Sequence, residues 1–355
     1  MKRVAVVGGG YAGVQIARRL DPHAEVVLMD RKETFIHNVA AIRAVVDPRW
    51  LDKVVMPYTG LLRRGKVIQG SAVNITDTGV SLAGGEFIEA DAVVVATGSS
   101  YASPFKTSAA SAADFVEESK AVHASLGDAR ALLIVGGGPV GVELAGEVAS
   151  AFPGKEVELV SSGSALLDGM PAGLQRRIAE QLATLKVRVR LGERMTDLRS
   201  TAVPYLDDDR LVVPALGARP VAPPMAHLKL ASNGRVGVDS WLRPEGFRNV
   251  FVLGDAANTG DPMTIIGLSR QVRWLAKVIN ALLNGGELAK MRPYKPSSTP
   301  GLLVPLGPEY GAGVLPMTRN GWLIGAGLTA RIKGRDLFAS KYHRTLGVSY
   351  PSSST

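Results

Sequence analysis

The stretch that decides the fold is "LLIVGGGPVGVELA" (Leu132–Ala145), because "VAVVGGGYAGVQIA" (Val4–Ala17) repeats its pattern near the start of the chain. In both, a short apolar run enters a glycine cluster and leaves with the spacing of a helix. Gly8, Gly10 and Gly13 have the G-x-G-x-x-G order, and Gly136, Gly138 and Gly141 repeat it. The first glycine allows a tight turn, the second lets backbone approach a pyrophosphate, and the third lets helix meet strand. The helix that follows offers free N–H groups and the positive end of its dipole to phosphates.

The copies differ one strand later. Asp30 ends "VVLMD", about 20 residues past Gly8, where a carboxylate can accept hydrogen bonds from ribose hydroxyls. The second copy continues into "VELVSSG", which ends in Ser161 and Ser162 with no acid. An acid there would favour NADH and repel a 2′-phosphate, so the preference between NADH and NADPH stays open.

Around the two turns, apolar strands alternate with helical patterns. A β-rich stretch, "GKVIQGSAVNITDTGVSLAGGEFIEADAVVVATGSS", separates them, and Thr201–Pro224 reads as irregular and proline-rich. "NVFVLGDAAN" (Asn249–Asn258) is a further strand running into a Gly-Asp turn, followed by an amphipathic helix over Gly267–Leu283. The expected fold is α/β, with two Rossmann-like dinucleotide-binding domains, the second inserted in the first, and a small C-terminal α+β domain. The expected boundaries are 1–108 with 216–286, then 109–215, then 287–355, with a linker at Pro293–Pro300.

Composition narrows the function. The chain has 355 residues, a net charge of +9 and no cysteine, which removes disulfide relays, thiolate metal sites and iron–sulfur clusters. No metal site is expected. The opening "MKRVAVVGGG" breaks into glycine too early for a signal peptide, and no stretch reaches the roughly 20 apolar residues of a membrane span. Nine Lys and Arg oppose three acids from Glu287 onward, a basic tail that reads first as a solvated face and otherwise as a match for an anionic membrane surface or an acidic partner. No nucleic-acid recognition module accompanies that charge. A cytoplasmic protein, peripheral on the inner face of the membrane, is expected.

"ATG" at Ala96–Gly98 and "GD" at Gly254–Asp255 each end an apolar strand and resemble flavoprotein signatures, placing Thr97, Gly98, Gly254 and Asp255 among the cofactor-binding candidates. The resemblance extends to "ETFIHNVAAIRA" (Glu33–Ala44), the stretch Leu132–Ser162, "YKP" (Tyr294–Pro296) and "KGRDLFASKY" (Lys333–Tyr342). Together these resemble the ferroptosis suppressor protein/AMID-like branch of the FAD- and NAD(P)-binding pyridine nucleotide-disulfide oxidoreductases. That branch lies within the group of apoptosis-inducing-factor-like proteins and type II NADH dehydrogenases, which implies a glutathione-reductase-like fold.

The resemblance implies FAD on the first turn, NAD(P)H on the second with Ser161 beside it, and a quinone or other small electron acceptor. It places His37 and Asn38 beside the flavin ring, Arg43 near the FAD phosphates and Asp255 on the ribityl chain. Glu143 and Lys106 are the catalytic candidates. A homodimer is also expected. The chain departs from the pattern where Leu198–Pro214 looks short of a full hairpin and where only Gln271 fits a quinone-site helix. Arg270 and Arg273 on that helix favour an alternative, a soluble flavin oxidoreductase of specialised metabolism or the reductase of a partner oxygenase. A third reading is a redox-sensing flavoprotein.

Overall fold

Strand β1 (Arg3–Val7), helix α1 (Tyr11–Leu20) and strand β2 (Glu25–Asp30) form the first βαβ unit of the computed structural model, which describes residues 1–297 and 299–351. Helix α2 (Asn38–Val46), strand β3 (Lys66–Gln69) and strand β4 (Ala92–Val95) follow. Strand β1 pairs in parallel with β2 and with β4, all nearly solvent-free, as expected for a sheet covered on both faces. A three-stranded antiparallel patch over residues 72–89 turns at Gly79 and Gly85, both at positive φ.

Helix α3 (Ala112–Asp128) leads into the second unit: strand β5 (Ala131–Val135), helix α4 (Pro139–Ala151), strand β6 (Glu156–Ser161), helix α5 (Ala172–Thr184) and strand β7 (Arg188–Leu191). Strands β8 (Tyr205–Asp207) and β9 (Arg210–Pro214) complete it as an antiparallel hairpin whose inner strand pairs in parallel with β5. The irregular region expected from residue 201 therefore contains a hairpin. Leu211, Val212 and Val213 are buried, and Asp207 pairs with both Arg199 and Arg210. Burial and local charge outweigh the turn-rich composition.

The chain then returns to the first sheet. Strand β10 (Val250–Val252) pairs in parallel with β4, so the second sheet interrupts the first. Helix α6 (Ile265–Leu283) begins at a Thr264 cap and packs on α1. A third, antiparallel sheet comprises β11 (Leu302–Leu306), β12 (Tyr310–Leu315) and β13 (Trp322–Ile324), and the last helix is α7 (Ala339–Leu346). Ser298 of the expected linker and residues 352–355 of the expected basic tail lie outside the described residues. Among the described residues, no helix is long and apolar enough to cross a membrane.

The glycines divide as their order suggests. A Cβ on Gly13 would sit 1.7 Å from the Gly8 carbonyl oxygen, and one on Gly141 would sit 2.1 Å from that of Gly136. Gly8 and Gly136 hold positive φ, where a side chain would also strike the carbonyls of Ala96 and Ala215. A Cβ on Gly10 or Gly138 would meet nothing within 4 Å. Gly13→Ala should therefore cost the ligand-free protein about 1–3 kcal/mol, a typical overpacking penalty. Gly10→Ala should leave its stability within about 0.5 kcal/mol, as for changes that touch no packed group. Urea unfolding of both variants checks the contrast.

Candidate functional site

The two turns open into one cavity of about 1480 Å³. Single-ligand sites span roughly 300–1,000 Å³, so this one has room for two. Gly8, Gly10 and Asp30 line one end and Gly136, Gly138 and Ser161 the other, while the third sheet and its following segment contribute Leu302, Leu303, Lys333 and Phe338.

At the first end, the Asp30 carboxylate accepts the amides of Gly9 at 2.5 Å and Lys32 at 2.7 Å, which fixes it against the turn. Thr97 and Gly98 cross from β4 towards the second unit, where the Thr97 hydroxyl donates to the Val221 carbonyl at 2.9 Å and the Val221 amide donates to Gly98 at 3.0 Å. The Lys106 ammonium donates to the Ser99 hydroxyl at 2.6 Å, and that hydroxyl donates to Asp255 at 2.6 Å. Burial lowers the Lys106 pKa, partly offset by Asp255. Gly254, Asp255 and Lys106 all line the cavity.

Gln271 does not line it. Its amide oxygen accepts the Gly254 N–H at 2.8 Å, and its nitrogen donates to Asp261 at 3.0 Å. Tyr294 donates to the same carboxylate at 2.5 Å. These links secure the Gly254–Asp255 turn to α6 and to the "YKP" segment. Arg270 donates to the Lys295 carbonyl at 3.2 Å, and neither it nor Arg273 reaches the cavity.

Helix α4 carries Glu143 and Glu147 on adjacent turns, both buried. Glu143 lines the cavity and accepts the Lys333 ammonium at 2.7 Å, while Lys333 also donates to the Leu303 carbonyl at 3.0 Å. Burial pushes the Glu143 carboxyl up, and the Lys333 charge offsets part of that rise. Lys333 stands in a π-turn over Ala330–Gly334, a local widening often found at functional sites.

Two expected cofactor contacts stand elsewhere. Arg43 points away from the cavity and forms a two-pronged pair with Glu147, at 2.9 Å through Nε and 2.6 Å through Nη2. A buried carboxylate requires a charge partner, and Arg43 supplies it to Glu147. His37 also lies behind the wall, fully buried. Its Nε2 lies 2.8 Å from the Leu337 carbonyl oxygen, so it must donate there. Its Nδ1 then accepts the Tyr11 hydroxyl at 2.9 Å, and that oxygen accepts the Val39 amide at 2.9 Å. Neutral His37 thus satisfies every group around it and anchors Leu337 and Phe338, two consecutive residues at positive φ. Phe338 enters the cavity from that strained turn. Asn38, the next residue after His37, does line the cavity, and its Oδ1 is buried with no partner among the described residues.

Sequence reasoning missed Lys333 and Phe338, although both lie in the quoted "KGRDLFASKY". Lys333 reaches Glu143 from 190 positions away, a distance that local spacing cannot reveal.

Two measurements check these assignments. Arg43→Met leaves Glu147 charged and unpaired, an expected loss of about 3–5 kcal/mol in urea unfolding, and adding Glu147→Leu should recover most of it. Burial pushes His37 down to about 4 from its ordinary 6.5, so the unfolded chain binds the proton more readily. Its stabilising share is present above pH 6.5 and is lost as the pH falls towards 4, about 2 kcal/mol of it between pH 7.5 and 5. His37→Gln should remove that part of the pH dependence.

Comparisons with known proteins agree with this arrangement. The family model for pyridine nucleotide-disulphide oxidoreductases matches residues 2–273. The chain is 30% identical to apoptosis-inducing factor homolog B of Dictyostelium discoideum, covering 96% of each chain. It is also 30% identical to ferroptosis suppressor protein 1 of Taeniopygia guttata, over 99% of this chain and 97% of that one. Among solved structures, NDH2 from Plasmodium falciparum in complex with NADH overlays with a TM-score of 0.75 at 13% identity, covering 96% of this chain and 97% of that chain. The sulfide:quinone oxidoreductase of Aquifex aeolicus also reaches 0.75, at 15% identity, over 99% of this chain and 93% of that one. Two dinucleotide turns facing one cavity, within a sequence matched over most of its length, establish that this chain belongs to the pyridine nucleotide-disulphide oxidoreductase family.

Proposed function

We propose that this chain transfers reducing equivalents from NAD(P)H, by way of FAD, to a quinone-type acceptor. The observation that carries the proposal is the single cavity bounded by both glycine turns. Several features fit the two cofactors. Both helices that start at the turns lack a side-chain cap, which leaves their first N–H groups for phosphates. Gly10 and Gly138 leave open space where a side chain would intrude, and the unpartnered Asn38 Oδ1 calls for a donor.

FAD would be held by Gly8, Gly10, Asp30, Asn38, Thr97, Gly98, Gly254 and Asp255, with Gly13 closing the turn from behind. NAD(P)H would be held by Gly136, Gly138 and Ser161, with Gly141 in the equivalent supporting place. When bound, FAD accepts a hydride from NAD(P)H and releases electrons singly or in pairs, which no side chain here can do. The protein's part is to align the rings and exclude water. Lys106, backed by Ser99 and Asp255, sets a positive charge at the first end. Glu143 and Lys333 hold a proton between them at the wall, within the cavity that an acceptor gaining charge would enter.

With no cysteine in the chain, electrons have no internal disulfide to visit, so the acceptor itself must enter. Ile265, Ile266, Leu268, Leu302, Leu303 and Phe338 give part of the cavity an apolar wall suited to a flat, apolar quinone. Such acceptors partition into membranes. The basic C-terminal segment, with Met317 and Trp322 exposed on one hairpin that also carries Arg319, is suited to an anionic bilayer surface.

Anaerobic stopped-flow of the FAD-loaded protein tests the proposal. NADH or NADPH should bleach the flavin, menadione should speed its reoxidation, and the protein should float with anionic vesicles. Glu143→Gln should slow reoxidation by roughly 100-fold, the range for a lost proton donor. Reoxidation indifferent to quinones would overturn the acceptor assignment.

A further inference from the structure

The two turns are equivalent in register, so the residue facing each ribose can be identified by position. Val7 of β1 pairs with Met29 of β2, and Val135 of β5 pairs with Val160 of β6. The Gly8 amide donates to Met29 and the Gly136 amide to Val160, each at 2.8 Å. The next residue is Asp30 in the first unit and Ser161 in the second. A carboxylate at this position accepts a ribose 2′-hydroxyl and repels a 2′-phosphate. Ser161 carries no charge to repel a 2′-phosphate. Its Oγ accepts the Gly163 amide at 3.3 Å, which leaves its proton free to donate.

The charges around Ser161 point the same way. Glu193 lies close, since its amide donates to the Ser161 carbonyl at 3.0 Å. Its carboxylate is taken up by Arg190, whose Nε donates to it at 2.8 Å, and this pairing holds the Glu193 pKa below its ordinary value. Arg194, the next residue, lines the cavity together with Ser161 and Ser162. Among the described residues it is exposed and pairs with no acid. The ribose end of the second turn therefore offers a guanidinium and two hydroxyls, with Glu193 already paired to Arg190, while Asp168 lines the adjoining pocket beside Ser161 and Ser162.

We propose that the second turn selects the 2′-phosphorylated nicotinamide, NADPH, and that Arg194 with the Ser161 and Ser162 hydroxyls binds the 2′-phosphate. This rests on the proposed use of NAD(P)H. The planar guanidinium can donate two parallel hydrogen bonds to phosphate oxygens, stronger than neutral ones.

Calorimetry on the FAD-loaded chain, with 2′,5′-ADP and 5′-AMP as probes, isolates the 2′-phosphate. 2′,5′-ADP should bind about tenfold or more tightly than 5′-AMP. Arg194→Ala should abolish that advantage and leave 5′-AMP affinity within about twofold, since the side chain is exposed and supports no packing. Equal binding of the two probes, or equal weakening of both by Arg194→Ala, would overturn the inference. Failure of the functional proposal looks different, because then neither NADH nor NADPH bleaches the bound flavin.

Discussion

Helix α4 carries two buried carboxylates one turn apart, and each is neutralised by a cation from a different part of the chain. Glu147 takes Arg43 from α2 in the first unit, and Glu143 takes Lys333 from the segment after the third sheet. Removing such groups from water costs several kcal/mol per ion, and only a close, well-directed partner offsets it. The two pairs therefore admit few relative placements of the three parts of the chain. Gly146, between them, meets Leu306 so closely that a Cβ would lie 2.4 Å from its Cα. Charge pairing and close packing thus position α4, whose N-terminus is the second glycine turn.

That constraint explains why both glycine turns open into one cavity. Each βαβ unit alone presents a turn at the edge of its own sheet, open to solvent. Held by α4 and its partners, the two edges face each other, and the third sheet with Phe338 closes the remaining side. The strain at Leu337 and Phe338 belongs to this arrangement. Two consecutive left-handed residues are unfavourable by roughly 1–3 kcal/mol each. The His37 ring holds the Leu337 carbonyl in place from beneath.

The local geometry was legible in the sequence. Glycine order, strand ends and the Asp30–Ser161 difference all depend on neighbours within one βαβ unit, where spacing dictates geometry. The positions of the β10 return and of the inserted second sheet could also be read, because parallel strands are near-continuous apolar runs. What escaped was long-range pairing. Arg43 lies on the helix that starts beside a cavity residue, yet its partner is 104 positions away. His37 precedes a cavity residue directly, but its acceptor is 300 positions away. In both cases the family resemblance suggested a ligand contact, whereas burial demanded a protein partner. Gln271 shows the same effect in a milder form: it sits on the expected helix but supports the turn from behind.

The absence of cysteine gives this division of labour its chemical sense. A family named for disulfide chemistry is represented here by a chain that has none, so no internal disulfide can relay electrons. The cavity walls have two contrasting parts. One stretch is apolar, from the start of α6 and the third sheet, and it meets a buried ion pair whose carboxyl is pushed towards its neutral form by desolvation. An apolar molecule that gains charge on reduction finds there both a surface it can wet and a proton held close by. A strongly hydrated anion would lose its solvation against the same wall with only one paired ammonium to offset it. The geometry that places Glu143 and Lys333 at the wall depends on the same two ion pairs that orient the domains.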